Sequence, residues 1–389
     1  MKKSVTKATF STLSFLRSGA ATKQWSLDQE LRKRDSQIHI LGVGNLGKYL
    51  GYGLAQSHAR LPYPLVRLLF HRPSKLESFV NSGSCLIRRD KYGVETKSPE
   101  VEAELLATPD KGEEAESAYQ YPIKYMIVTT KAGKTAAAID LVKHRLTHES
   151  TVLLVQNGMG AIDEVKNKMF PNPNIRPTFL SGLCYAGINS NPSRGKNEKD
   201  QYGWPFFHAG RGRLDIENTK NPESQWLLRR LIQAGYLLET ELVEPAHILT
   251  EQLKKLAINA VVNPLTTTFD CANGELLSSP ARMALVEAVT KEIAEIYQNM
   301  LPGPGPELHD YKNLLPIVHQ TIRTTSRNFS SMYQDVAAGR KTEIEYINGY
   351  LVREAEKFNV KAPYQKKLVS LVNNREIISD RDIEETFKF

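Results

Sequence analysis

Three residues set the chemical question: Lys255, Asn259 and Asn263 recur at every fourth position within EQLKKLAINAVVNPLTTTFD (251–270). At that spacing they line one face of a helix. Yet Leu253, Leu256, Ala257, Ile258, Ala260, Val261, Val262 and Leu265 leave the same helix no broad polar face, which is the pattern of a buried element. A lysine there costs free energy unless an opposing charge meets it or its proton moves. What it offers in return is a positive field and a transferable proton.

A second set of residues could hold phosphate. IHIL (38–41) reads as a short strand, and GVGNLG after it places Gly42, Gly44 and Gly47 in the G-x-G-x-x-G pattern, with helical spacing from Leu46. One glycine makes the tight turn, the next lets amides approach a pyrophosphate, and the third lets helix and strand pack closely. The phosphate then meets the amide-rich, positive end of the helix. The next strand, LVRLLFHR (65–72), runs into Arg72 and Lys75 with no acid before Glu77. An acid would suit the ribose 2′-hydroxyl of NAD, and a cation suits the 2′-phosphate of NADP. The reading is therefore NADP(H), against the alternative of a basic loop that meets only water. Lys131 and Asn157 end two further strands, YMIVTTK (125–131) and TVLLVQNG (151–158), where an open sheet places its ligands. Either residue is equally compatible with a solvated turn.

The elements that must position these groups change character along the chain. Up to about residue 244, strands alternate with helical stretches such as 132–146, which indicates a parallel, doubly wound sheet with right-handed crossovers. Residues 178–218 are β-rich, are interrupted by the polar NSNPSRGKNEKDQYG, and are expected to complete that same sheet. The single His208 there reads as structural. From Pro245 the period is helical over 246–269, 279–300, 309–338, 343–359 and 363–378, with PGPGP (302–306) as a break. The expectation is an α/β chain: a Rossmann-type doubly wound parallel sheet over 37–244, then an all-α domain over 245–389, with the cleft between them as the default site. In the second part Ser331 and Asp335 share a helical face and Gly339 suits a helix stop. Thr342 and Glu345 fit a T-x-x-E capping box. Glu343 would then lie in a first helical turn, where its charge could simply support the terminus.

Bulk properties remove other classes. A length of 389 residues suits two domains, and 41% apolar with 24% charged residues is the balance of a folded protein. No uninterrupted apolar run is long enough to cross a bilayer. Cys85, Cys184 and Cys271 are odd in number and form no C-x-x-C pair, which argues against a disulfide framework and a zinc site and suits a reducing compartment. Residues 1–36 carry eight basic and three acidic side chains, leaving only +3 of the net +8 for the remainder, so charge does not indicate a nucleic-acid partner. The leader MKKSVTKATFSTLSFLRSGAATKQWS is basic, rich in Ser and Thr, and without an acid before Asp28. That is the composition of a mitochondrial transit peptide; a tail with no address, on a cytoplasmic protein, is the alternative.

In order, GVGNLG, TTKA, QNGMG, KLAINAVVNPLT, CANGEL and SSMYQDVAAGRKTEIEYINGY resemble the ketopantoate reductase family over roughly 37–380. The resemblance implies a Rossmann domain followed by a helical domain. It implies NADPH-dependent reduction of 2-dehydropantoate to pantoate on the route to coenzyme A, with no metal and a homodimer as one possible assembly. By motif, Lys255 matches the catalytic lysine. Asn259, Asn263 and Asn273 match substrate-contacting asparagines, and Ser331 matches the serine at the substrate carboxylate. Glu343 matches the glutamate of the active cleft, catalytic and in contact with cofactor or substrate. Gly42, Val43, Gly44, Asn45, Leu46 and Gly47 match the cofactor turn, Arg72 the 2′-phosphate reader, and Lys131, Asn157 and Ala186 cofactor-side positions, with Asn157 also near substrate. In this light the buried lysine meets the alkoxide that forms when a 2-oxo group is reduced. The leader, a long first crossover (AQSHARLPYP) and the insertion at 190–203 depart from the family pattern. Two other readings stay open: a reductase of another 2-oxo acid, and a catalytically retired mitochondrial RNA- or translation-associated relative.

Overall fold

The computed structural model describes residues 35–106, 121–189, 204–210, 212–300 and 306–387. Nearly all of the leader, the insertion at 190–203 and most of PGPGP lie outside the described residues. The strand β1 (Ile38–Leu41) is buried throughout and passes through Gly42–Gly44 into α1 (Asn45–Ser57). There follow β2 (Val66–Phe70), α2 (Pro73–Asn81), β3 (Leu86–Asp90), β4 (Glu95–Lys97), β5 (Glu102–Leu105) and β6 (Tyr125–Val128). Next come α3 (Ala132–Asp140), β7 (Thr151–Val155), α4 (Ala161–Met169), β8 (Thr178–Cys184), β9 (Gly187–Asn189) and β10 (Trp204–Gly210). β11 (Leu214–Glu217), α5 (Pro222–Gln233), α6 (Gly235–Leu238) and β12 (Thr240–Val243) complete this half.

The main sheet has eight strands in the order β12-β11-β8-β7-β6-β1-β2-β5, parallel at every pairing except β8 with β11. β1 lies between β2 and β6, so the winding reverses there and the crevice outside its carboxyl end is the topological place for a ligand. Two expectations need correction. β9 and β10 do not complete this sheet; they join β3 and β4 in a separate sheet ordered β4-β3-β10-β9. The helix expected over 132–146 ends at Asp140, and a 3-10 turn at Lys143–Arg145 follows. That turn sends Arg145 inward, where it bonds the buried Glu104 carboxylate and the Tyr121 carbonyl (2.9 Å). An ion pair across the sheet's lower edge thus outweighs one more turn of local helix.

Arg145 and Glu104 belong to a buried charge cluster completed by Arg67, which pairs with Glu102 at 2.6 Å and reaches Glu104 at 3.5 Å. His39 on β1 lies in this cluster, 4% exposed. Burial and the nearby guanidinium groups of Arg145 and Arg67 lower its pKa from 6.5 to about 3. The folded protein therefore holds His39 neutral at pH values where the unfolded chain protonates it. Stability is fully present above pH 6.5 and falls as the pH drops toward 3, by about 1.4 kcal/mol per unit from this one residue. Urea titrations at pH 7 and pH 5 should show this loss in the natural chain and a much smaller one in His39→Gln. Equal losses in the two would remove His39 as the cause.

From Pro245 onward the described chain is helical: α7 (Pro245–Thr268), α8 (Pro280–Met300), α9 (Tyr311–Thr324), α10 (Ser331–Ala337), α11 (Asn348–Lys357), α12 (Pro363–Asn374) and α13 (Ile383–Phe387). α7 runs through the centre of a single apolar cluster, with Leu253, Ala257, Ala260, Val261 and Leu265 fully enclosed. Pro264 sits inside it, and without an N–H it leaves the Ala260 carbonyl with no intrahelical donor. The buried Asn348 amide supplies that donor at 2.8 Å, so a helix interrupted in its covalent chemistry is still satisfied. The helix expected over 309–338 is in fact two. Between them the Ser326 and Asn328 carbonyls accept the Gly274 and Asn273 N–H groups, each at 2.9 Å, and Ser330 caps α10 through the Tyr333 N–H. No helix among the described residues is long and apolar enough to cross a membrane.

Candidate active site

The glycine turn is built as its spacing requires. Gly42 has φ +106°, and a Cβ there would lie 2.6 Å from the Thr130 nitrogen, so both its backbone conformation and its neighbour exclude larger residues. A Cβ on Gly47 would lie 2.2 Å from the Gly42 carbonyl oxygen and 2.7 Å from Thr129 Oγ1. Gly44 differs, since nothing lies within 4 Å of its Cβ position. It is the N-cap of α1, without a side-chain cap and without an acid in the first turn. The Gly44 Cβ position therefore opens onto space beside Val43, Asn45 and Leu46, at the positive end of a helix dipole. A diphosphate fits that cradle.

The polar stripe lies on α7. Lys255 is half-buried, and its Nζ donates to the Cys184 carbonyl at the end of β8 at 2.9 Å. Burial pulls its pKa below the ordinary lysine value, while Cys184 and the Glu343 carboxylate oppose the fall. Asn259 is half-buried one turn on, and Asn263 is buried one turn beyond that. Tyr185 presents its ring 5.9 Å from the lysine nitrogen. Ala186, next along, lies in the bend between β8 and β9.

Glu343 closes the cleft from the helical side. Its carboxylate accepts the Ala132 N–H at the start of α3 (3.1 Å) and a hydrogen bond from Asn157. Burial raises its pKa; those two bonds and the Lys131 ammonium act the other way. The capping box expected from Thr342 and Glu345 is not formed. Thr342 Oγ1 accepts only the Ile344 N–H at 3.4 Å, the Glu345 carboxylate takes the Asn373 amide, and α11 begins at Asn348 after a 3-10 turn. Long-range partners explain this: the Tyr346 carbonyl accepts the Met159 N–H at 2.9 Å and its ring packs on Gly133. The segment is thus held against the loops after β6 and β7.

The structure brings Lys255, Asn157, Glu343 and the glycine turn to the carboxyl ends of neighbouring strands. Lys131 stands beside them, paired with Asp335. Ser331, exposed at the first position of α10, and Asn273 lie at the adjoining joint, where Ser330 bonds Thr266 (2.8 Å) and Asn273 bonds Thr325 (2.9 Å). Asn273 Oδ1 is buried with no partner among the described residues. Arg72 is apart from these, exposed at the N-cap of α2. Burial, and then the positive fields of Arg72 and Lys134, hold the His71 imidazole below its ordinary pKa, which groups the three together. Lys134 and Asp335 were not foreseen in these roles. Lys134 reads as one more exposed residue of α3, and only the pairing of β1 with both β2 and β6 brings it near Arg72. A hollow of about 780 Å³ between α8 and α9 holds none of the expected residues, and no group of residues suited to a metal ion occurs among those described.

The ketopantoate reductase PanE/ApbA sequence family matches residues 38–221, and its C-terminal counterpart matches 247–376. The probable 2-dehydropantoate 2-reductase of Schizosaccharomyces pombe is 30% identical, over 88% of this chain and 97% of its own length. Among solved structures, D-mandelate dehydrogenase with NADH and anilino(oxo)acetate superposes with a TM-score of 0.67 at 21% identity, over 90% of this chain and 99% of that one. A PanE/ApbA family ketopantoate reductase from Ralstonia eutropha JMP134 gives the same TM-score, 0.67, at 20% identity, over 90% and 99% of the two chains.

Proposed function

Because the chain belongs to the ketopantoate reductase family, we propose that it reduces 2-dehydropantoate to pantoate with a nicotinamide cofactor, NADPH in preference to NADH. The observation that carries this reading is the Lys255 ammonium bonded at the end of β8, within the field of Glu343 and at the same carboxyl ends of the sheet as the glycine turn. When bound, the cofactor supplies the hydride. The chain's own residues do the rest. An ammonium has three donors; one is fixed on Cys184, and the others are available to a 2-oxo oxygen. As negative charge grows on that oxygen, Lys255 stabilises it and hands over a proton, more readily for the pKa that burial has lowered. Glu343 keeps the ammonium form populated. Asn259, Asn263, Asn273 and Ser331 are assigned to the substrate's hydroxyl and carboxylate groups.

The turn at Gly42–Gly47 is assigned to the diphosphate, and Ala186, Lys131 and Asn157 to the cofactor's flank. Arg72, Lys134 and His71 are assigned to the 2′-phosphate. Charge-assisted hydrogen bonds contribute about 1.5–3 kcal/mol each, so Arg72→Ala with Lys134→Ala should lower the NADPH-to-NADH ratio of kcat/KM by at least about tenfold. Constants for NADH should not move; an unchanged ratio would contradict the assignment.

A second reading, reduction of another 2-oxo acid, is favoured by the likeness to a mandelate dehydrogenase, since one scaffold serves several substrates. A panel of 2-oxo acids with both cofactors tests the proposal. The highest kcat/KM should fall on 2-dehydropantoate with NADPH, and a higher value for another acid would replace it.

A further inference from the structure

The small sheet turns an unusual face inward. Arg88 of β3 lies opposite Thr96 of β4 and Phe206 of β10, and His208 follows two residues after Phe206, so all four project from one side. That side packs on α1: the Phe206 ring meets Tyr49 and Tyr52 edge-on at 6.0 and 5.6 Å, and His208 lies 5.3 Å from Tyr49. Past the aromatic rings the packing stops. A pocket of about 540 Å³ opens there, lined by Tyr52, Gln56, Arg88, Thr96, His208 and Glu239 among others. Arg88 Nε and Thr96 Oγ1 are buried with no hydrogen-bond partner among the described residues. An arginine donor and a hydroxyl left unmet at the same wall cost stability in the free protein, and a planar acceptor that takes both at once removes that cost.

We propose that this pocket, at the far end of α1 from the glycine turn, binds a small organic carboxylate, with Arg88 and Thr96 taking the carboxylate group. Tyr52 and Gln56, which bond each other at 3.3 Å, are placed to meet hydroxyl or amino groups on the rest of such a molecule. A carboxylate fits better than a phosphate dianion, because Glu239 adds a negative charge to the lining. The site is separate from the Lys255 cleft and does not depend on the reaction assigned there.

Isothermal titration of the full chain with serine, lactate and inorganic phosphate tests it. Serine or lactate should bind saturably at one site, Arg88→Ala should weaken that binding by at least about tenfold, the worth of one charge-assisted bond, and Lys255→Ala should leave it unchanged. Binding lost in Lys255→Ala but kept in Arg88→Ala would place the carboxylate in the catalytic cleft and overturn the proposal, as would binding of phosphate alone or of none of the three. A second measurement does not need the ligand's identity. Arg88→Met should raise the Tm of the free protein, since it removes an unmet buried donor. A fall in Tm would show that the guanidinium serves the fold and would likewise overturn it.

Discussion

Lys255→Ala should lower turnover by about 10²–10⁴, the usual cost of losing a positioned proton donor, while Tm and cofactor affinity hold. The fold should tolerate the change, because alanine is the strongest helix former and α7 is anchored by its apolar neighbours rather than by this side chain. Among the described residues the lysine's hydrogen-bond partner is the Cys184 carbonyl, and its other neighbour is the Tyr185 ring. Lys255→Arg separates field from proton. A guanidinium keeps the charge but does not release a proton at any working pH, so this variant should bind substrate and turn it over slowly. The pH profile gives an independent reading. In the proposed mechanism the protonated lysine is the active form, so kcat should be full below its pKa and fall as pH rises through it. Burial puts that descending limb below the ordinary lysine value of 10.5, and the limb should be absent from Lys255→Ala.

Gly44→Ala should raise the KM for the cofactor by about 10²-fold, the scale expected when a bound group is displaced by about 1 Å, with Tm nearly unchanged. Nothing lies within 4 Å of the new methyl group in the free protein, so the only thing it can strike is whatever enters the cradle. Gly47→Ala is the contrasting case. Its methyl group would lie 2.2 Å from the Gly42 oxygen, a backbone atom already held at 2.5 Å by the Thr129 hydroxyl. Helix α1 must move off the turn, an overpacking cost of about 1–3 kcal/mol, so both Tm and cofactor affinity should fall. Thermal melts beside cofactor titrations distinguish the two variants. Equal losses of Tm would show that the open space at Gly44 is not a ligand cradle.

Where chemistry dictates local spacing, the sequence is legible. The glycine turn, the Lys255–Asn259–Asn263 stripe and the stop at Gly339 can all be read there, because each follows from the period of one element or the sterics of one residue. What escapes reading is decided by partners distant in the chain. Residues 325–330 have helical spacing, yet the Ser326 and Asn328 carbonyls are claimed by the Gly274 and Asn273 N–H groups. Thr342 and Glu345 have the composition of a cap, yet contacts with the Ala132 and Met159 N–H groups set that segment's path. Pro264 should interrupt α7, and it is Asn348, distant along the chain, that makes it tolerable. The small sheet pairs β3 with β10 across more than a hundred residues, and no local period announces such a pairing. Asp335 shows a mixed case: its face of α10 is readable, while its partner Lys131 is not.

The most direct test of Lys255 as the proposed proton donor is chemical rescue. Small primary amines added to Lys255→Ala, saturated with NADPH and 2-dehydropantoate, should restore turnover in a saturable way, and more strongly for amines whose ammonium ions are the better acids. A variant that turns over at the natural rate without any amine, or that binds both ligands and ignores every amine, would contradict the assignment of Lys255.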